Sequence, residues 1–394
     1  MVDFQLSDEQ LALQQLAQDF AEKEAKPLAE TLDKNHKPED CISLDLLRRC
    51  SELGFRTLAI PERFGGGGME DLLTVAIVCE ELAVADVILP TIPANGRKIF
   101  AILNNPEVAN EETRDKWLKA FCEDPTFMVA MAVTEPDAGG DNAFPYNAPG
   151  SGVRTSAVRD GDHYVLNGMK QFVAQGGSAK LYFVFTRSDP TKGILEGCSC
   201  FLVPFGHPGM TFGRVHDKMG SRLLRNQEIF FDNCRVPVEW RLGEEGLGLV
   251  AFRGSLGTDG VLGGARAIGV ARRALEEIIE FCKNRVQGGK PVIEHQAIAS
   301  EIADMYTTLQ AMRSLVWNVA WSVDHLPRDP KRVPTVMTFC TKNGFDIAHR
   351  AAELAGGMGV MRNAPFEKLL RDAFSLKHLD GGNYIKRLKI GAAL

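Results

Sequence analysis

The chain has 394 residues, 45% of them hydrophobic and 24% charged, with no compositionally biased tract. Single cores stop growing at about 250–300 residues, so two or three folded domains are expected and disorder is not. With 51 acidic against 45 basic residues the net charge is −6, which leaves no basic excess to neutralise a phosphate backbone and argues against a nucleic-acid partner.

No stretch approaches the roughly 18 uninterrupted apolar residues of a spanning helix, so no membrane association is expected. The chain opens directly into Phe4-Gln5-Leu6-Ser7-Asp8-Glu9-Gln10 without a signal or transit pattern, as expected of a cytoplasmic protein or a mature form. Nine cysteines are scattered, and the close pair Cys198 and Cys200 has no second pair to complete a zinc site, so buried thiols are the expectation.

Ser7 and Gln10 stand at capping-box spacing, and Leu13, Leu16, Ala17 and Phe20 recur at helical intervals, which predicts an amphipathic helix over 7–30. The same period returns in Leu46, Leu47, Cys50 and Leu53 and again over about 70–85, so residues 1–126 read as a helical domain. Gly65-Gly66-Gly67-Gly68 lacks the Lys-Ser/Thr of a phosphate loop and reads as a connector.

From Phe127 the texture changes to short β-rich runs: Met128–Val133, Val153–Arg159, His163–Leu166, Leu181–Thr186, Cys200–Pro204 and Glu228–Phe231. Asp160-Gly161 and Asn167-Gly168 are turn signals, and the spacing predicts an antiparallel barrel or sandwich over 127–241. Helical periodicity resumes through Ala265–Arg285, Glu294–Asp324, Pro334–Ala355 and Phe366–Arg371, which predicts a C-terminal four-helix bundle over 242–394. The expected fold is therefore mainly α with a β domain between two helical domains.

Three segments carry candidate chemistry: Ala132-Val133-Thr134-Glu135-Pro136-Asp137-Ala138-Gly139-Gly140-Asp141, then Lys170-Gln171-Phe172-Val173-Ala174-Gln175-Gly176-Gly177, then Leu369-Leu370-Arg371-Asp372-Ala373 with Leu379-Asp380-Gly381-Gly382-Asn383. In order and spacing they resemble the acyl-CoA dehydrogenase superfamily, over essentially the whole chain. That resemblance implies FAD as cofactor, an acyl-CoA substrate, an electron-transferring flavoprotein as acceptor and a homotetramer, or a dimer.

Carried over residue by residue, the first segment places Met131, Val133, Thr134, Gly139 and Gly140 against the flavin, with Gly140 also beside the substrate. A strand ending in a glycine-permitted turn lets backbone approach a planar ring closely. In the second, Phe172 keeps the family's aromatic wall, while Ala174 replaces the Thr or Ser whose hydroxyl bonds flavin N5. In the third, Asp380 stands where most members carry a Glu as α-proton base, one methylene shorter and about 1.5 Å less in reach, with Leu379 and Gly381 beside the substrate. Asp259 falls where a branch of the family places its base.

Arg285 and Gln296 resemble contacts to the flavin pyrophosphate region. Glu353, Gly356 and Gly357 resemble the segment a neighbouring subunit presents to the adenosine half. The chain departs from the pattern at Gly288 (usually Phe), Gly382 (usually Thr, a cofactor contact) and Gly260 (often Arg, near CoA). Each residue taken singly has a plainer reading. Asp380 before Gly-Gly suits a turn, Asp259 a helix N-cap, Arg285 a helix-end cation, Gly356-Gly357 a helix stop and Phe172 a core plug.

Gly254, Gly257, Gly260, Gly263 and Gly264 cluster in one predicted helix, where each glycine costs about 1 kcal/mol relative to alanine. Either Gly260 and Gly263 widen an acyl pocket for a bulky, branched or cyclic group, or the helix crosses a neighbour closely. His163, His216, His295 and His349 lack metal-ligand spacing, and no metal is expected. The leading expectation is oxidation of an acyl-CoA to its enoyl-CoA with Asp380 as base. Alternatives are an alicyclic carboxyl-CoA dehydrogenase of 1,4-type using Asp380 and Asp259, an enoyl-CoA reductase, a flavin-poor non-redox relative, and a flavin monooxygenase.

Overall fold

The computed structural model describes residues 5–143, 147–249, 252 and 258–394, and for Asp380 the backbone alone. The N-terminal helices are α1 (Asp8–Phe20), α2 (Lys26–Asp33), α3 (Leu44–Glu52), α4 (Leu72–Ala85), α5 (Thr91–Leu103) and α6 (Glu111–Glu123). Ser7, Ser43, Asp71 and Asn110 each accept the amide of the third helical residue, satisfying a donor that the helix leaves open. Ser7 and Gln10 form the expected reciprocal capping box. The helix predicted over 7–30 is interrupted by a π turn at Ala21–Ala25.

Helix α4 is buried on almost every side, the pattern of a helix inside a core. It carries Glu80 and Glu81 into that core, where Arg313 and Arg272 meet them at 2.6 Å and 3.0 Å.

The strands are β1 (Val129–Ala132), β2 (Ser156–Asp160), β3 (His163–Ala174), β4 (Leu181–Arg187), β5 (Cys198–Pro204), β6 (Met210–Val215), β7 (Asn226–Pro237) and β8 (Arg241–Leu242). They form one sheet of order β6-β7-β3-β2-β4-β5-β8, with β1 added on β4. Every residue of β4 is buried, as a central strand covered on both faces requires.

Two expectations are corrected here. The sheet is mixed rather than antiparallel, because β1 runs parallel to β4, Val129 opposite Leu181. Two strands and their connections intervene between them, and that crossover is what a parallel pair needs. Asn167-Gly168 is not a turn but a bulge inside β3, which continues to Ala174. Gly168 sits at φ +146°, and a Cβ there would come within 2.7 Å of Thr155 Oγ1, so glycine serves a close strand approach.

The C-terminal helices are α7 (Asp259–Asn284), α8 (Gln296–His325), α9 (Arg332–Leu354), α10 (Phe366–Leu376) and α11 (Gly382–Gly391). A two-stranded ribbon, Val286–Gln287 with Lys290–Pro291, lies between α7 and α8. Helices α7 to α10 form the bundle, and α4 packs on α7, so the helices before and after the sheet share one continuous core from Phe20 to Leu376.

The glycine cluster resolves as a close crossing of α7 and α9. A Cβ at Gly260 would lie 2.7 Å from Val333 Cγ1, at Gly263 2.5 Å from Met337 Sδ, and at Gly264 2.5 Å from Val336 Cγ1. The space beside these three residues is filled by α9, so they do not widen a pocket. Gly254 and Gly257 lie outside the described residues.

Candidate active site

At the end of β1 the cover thins. Val129, Ala130 and Ala132 are buried, whereas Met131, Val133 and Thr134 are only partly covered, and Gly139 has open space beside its Cα. This edge is fixed by an ion pair that sequence reading passed over, although both residues lie in the quoted segments. Lys170, with no exposed surface, donates to Glu135 Oε1 at 2.6 Å and to the Val133 carbonyl at 3.2 Å. Glu135 also accepts the Arg154 and Thr155 amides at 2.7 Å and 2.9 Å, joining β1, β2 and β3 at one point.

Burial pulls the Lys170 ammonium down to about 8 against the opposing pull of Glu135. Burial also pushes the Glu135 carboxyl up, but Lys170 and the hydrogen bonds outweigh it and leave the group below the usual carboxylate range. Both are charged at neutral pH.

The second segment lies alongside the first, since the Gln171 amide donates to the Thr134 carbonyl at 2.8 Å. Phe172 projects from a bulge of β3 at φ +57°, is 53% exposed, and packs its ring 4.5 Å from that of His216. It is exposed and not a core plug. Ala174 is exposed at the end of β3, opposite Asn226, and offers no hydroxyl.

The third segment divides into two parts. Arg371 and Asp372 are structural. Arg371 pairs with Asp33 at 2.6 Å and with Glu367 at 2.6 Å, and donates to the Met219 carbonyl. Asp372 accepts Lys368 and the Ser221 amide at 2.5 Å and 2.7 Å, and Lys368 also meets the buried Asp86 at 2.6 Å. Three parts of the chain are clasped by these charges.

The turn Leu379–Gly381 follows, with Gly381 and Gly382 at φ +86° and +72°, a left-handed pair that glycine adopts freely. A Thr at Gly382, which the family resemblance leads one to expect there, would be strained in this backbone. The Asp380 side chain lies outside the described residues. Its turn abuts the first segment, since a Cβ at Gly381 would lie 3.5 Å from Ala143 Cβ and one at Gly140 3.2 Å from Ile385 Cδ1.

Asp259 opens α7 and pairs with Lys98 of α5 at 2.9 Å; the helix N-cap is Thr258, so the capping reading of Asp259 is one residue out. At roughly 1.5 Å per residue the 26 residues of α7 span about 39 Å, which puts Arg285, its exposed C-cap, far from Asp259. Helices α7 and α9 run in the same direction, Gly260 beside Val333 and Gly344 beside Ala267, so Glu353, Gly356 and Gly357 lie toward the Arg285 end. These three and Gln296 are all exposed.

The partly covered end of β1, the exposed Phe172 on the segment bonded alongside it and the Leu379–Gly381 turn against Gly140 and Ala143 are thus brought to one region of the molecule.

The acyl-CoA dehydrogenase N-terminal, middle and C-terminal domains match residues 7–124, 130–234 and 246–394. The cyclohex-1-ene-1-carbonyl-CoA dehydrogenase of Syntrophus aciditrophicus is 32% identical, covering 99% of this chain and 91% of that protein. The short-chain-specific acyl-CoA dehydrogenase of Megasphaera elsdenii is 32% identical over the full length of both. The solved butyryl-CoA dehydrogenase of M. elsdenii superposes with a TM-score of 0.90 at 30% identity, covering 100% of this chain and 99% of that one. The chain belongs to the acyl-CoA dehydrogenase family, oxidoreductases acting on CH–CH groups.

Proposed function

We propose that this protein oxidises an acyl-CoA thioester to the enoyl-CoA, with Asp380 as the base that removes the α proton. The observation that carries the reading is the approach of the Leu379–Gly381 turn to the Gly139–Ala143 segment beyond the β1 edge. It brings the third segment against the first, although more than two hundred residues separate them in sequence.

Bound FAD supplies the two-electron acceptor for the β hydride. Met131, Val133, Thr134, Gly139, Gly140, Phe172 and the Gly382 backbone would hold its ring end. The Asp380 carboxylate would take up the α proton and become the acid, and its own backbone N–H would donate to the thioester oxygen as negative charge develops there. Arg285, Gln296, Glu353, Gly356 and Gly357 lie at the other end of the bundle, so a second copy of the chain would bring them to this site. That supports a homodimer or homotetramer, as do the exposed Val286, Met358, Val360 and Met361 near those residues.

A solved relative at 30% identity and TM-score 0.89 comes from work on an electron transferring flavoprotein of Acidaminococcus fermentans, which supports such a protein as the electron acceptor. A second reading, action on an alicyclic acyl group, is favoured by two cyclohex-1-ene-1-carbonyl-CoA dehydrogenases at 32% and 33% identity and by the second carboxylate, Asp259. The filled space beside Gly260 and Gly263 weakens its pocket argument.

Purified protein mixed anaerobically with butyryl-CoA or cyclohex-1-ene-1-carbonyl-CoA should lose its yellow colour. Bleaching by the linear substrate alone removes the alicyclic reading. A colourless protein that takes up no FAD removes the proposal.

A further inference from the structure

Phe172 is held in a conformation that its sequence does not favour. A bulky residue at φ +57° costs on the order of 1–3 kcal/mol and persists only where its surroundings over-determine it. The residues that hold it form a continuous chain. Asn226 Nδ2 donates to the Phe172 carbonyl at 2.8 Å, and Asn226 Oδ1 accepts from Lys218 Nζ at 2.7 Å. Lys218 donates also to the Ser221 and Leu224 carbonyls, both at 2.6 Å, so three neutral acceptors match its three N–H bonds. The Ser221 amide in turn donates to Asp372 of α10 at 2.7 Å.

A partly buried ammonium with only neutral direct acceptors is costly. Burial draws Lys218 down to about 8, with Asp372 and Asp86 opposing from nearby. A loop staple would need none of this, since any carbonyl could end it. Here the chain ends on the one aromatic residue of the second segment, and His216, from the same loop, packs against its ring.

We infer that Lys218 and Asn226 are positioning residues: through the Asn226 carboxamide they set the angle at which Phe172 faces the flavin ring. The same chain reaches α10, the helix that leads into the Asp380 turn, so wall and base are set from one network. The inference rests on the reading of Phe172 as a flavin wall.

The test is a double-mutant cycle on the flavin-loaded protein, with Asn226→Asp and Phe172→Leu read by FAD dissociation constant and by the visible circular dichroism of bound FAD. Asn226→Asp keeps an oxygen for Lys218 but replaces the donor to the Phe172 carbonyl with a second acceptor, so the chain breaks at that link. It is expected to weaken FAD binding roughly tenfold and to change the dichroism, while the melting temperature stays close to that of the parent. In the Phe172→Leu background it should add little to either readout, because sites acting through one another are not additive.

Equal effects of Asn226→Asp in both backgrounds, or a fall in melting temperature with FAD affinity and dichroism unchanged, overturn the inference. If Phe172→Leu alone leaves affinity and dichroism intact, the flavin-wall reading fails and the inference with it. A normal Phe172→Leu effect with an additive Asn226→Asp sinks only the relay. Lys218→Met should reproduce Asn226→Asp if it folds.

Discussion

Lys98 Nζ lies 2.9 Å from Asp259 Oδ2 and ties α5 to the first residue of α7. The side chains are 23% and 17% exposed, so the pair is shielded without being sealed. Its consequence is functional, because a carboxylate committed to a lysine is not a free base. Asp259→Asn is therefore expected to cost about 1 kcal/mol or less in stability and to change flavin reduction by butyryl-CoA less than about tenfold. Stopped-flow bleaching checks this; a loss as large as that from removing Asp380 would make the two aspartates a cooperative pair and revive the 1,4-type chemistry.

The Lys170–Glu135 pair makes a sharper stability prediction. Lys170→Met leaves the Glu135 carboxylate buried without its cation, which typically costs about 3–5 kcal/mol. Denaturant titration should show the midpoint falling accordingly. A midpoint shift equivalent to under about 1 kcal/mol would mean that the Arg154 and Thr155 amides alone hold the carboxylate.

Lys170 and Lys218 are both drawn to about 8 from an unfolded value of 10.5. Between those pH values the unfolded chain binds more protons than the folded one, so stability from these two groups rises as pH climbs from about 8 to about 10.5. Removing either lysine should flatten that rise. Unfolding at pH 7.5 and 9.5 compares the slopes, at about those values, and an unchanged slope in both variants contradicts the assignment.

The helix crossing separates two neighbouring glycines. Gly264→Ala drives a methyl into Val336 and Val316, at 2.5 Å and 2.9 Å, both stiff at Cβ. Overpacking of that kind costs about 1–3 kcal/mol. Gly263→Ala meets the flexible Met337 thioether and should cost less. Thermal melts rank the two; the reverse order would mean that the crossing is not what the glycines serve.

Much of the fold was legible because burial writes itself into periodicity. The capping box at Ser7 and Gln10, the helical repeat of α3 and the hairpin at Asp160-Gly161 all follow from local chemistry. Asn167-Gly168 misled because its turn preference was overridden by the ladder with β7, where only glycine tolerates the approach of Thr155. The parallel pairing of β1 with β4 depends on contacts no local pattern encodes.

The candidate site was legible by segment and not by contact. The family-like motifs mark Phe172 and the Asp380 turn. Lys98, Lys218 and Asn226 carry no motif, and Lys368 finds Asp86 across 282 residues of sequence. Arg371 and Asp372 lay in a quoted segment, yet they clasp layers together and do not face the β1 edge.

Asp380→Asn, prepared with FAD and mixed anaerobically with an acyl-CoA that bleaches the parent, is the most direct measurement. The variant should keep its yellow colour and its FAD affinity while the rate of flavin reduction falls by several orders of magnitude. Bleaching at the parental rate would show that another group removes the α proton.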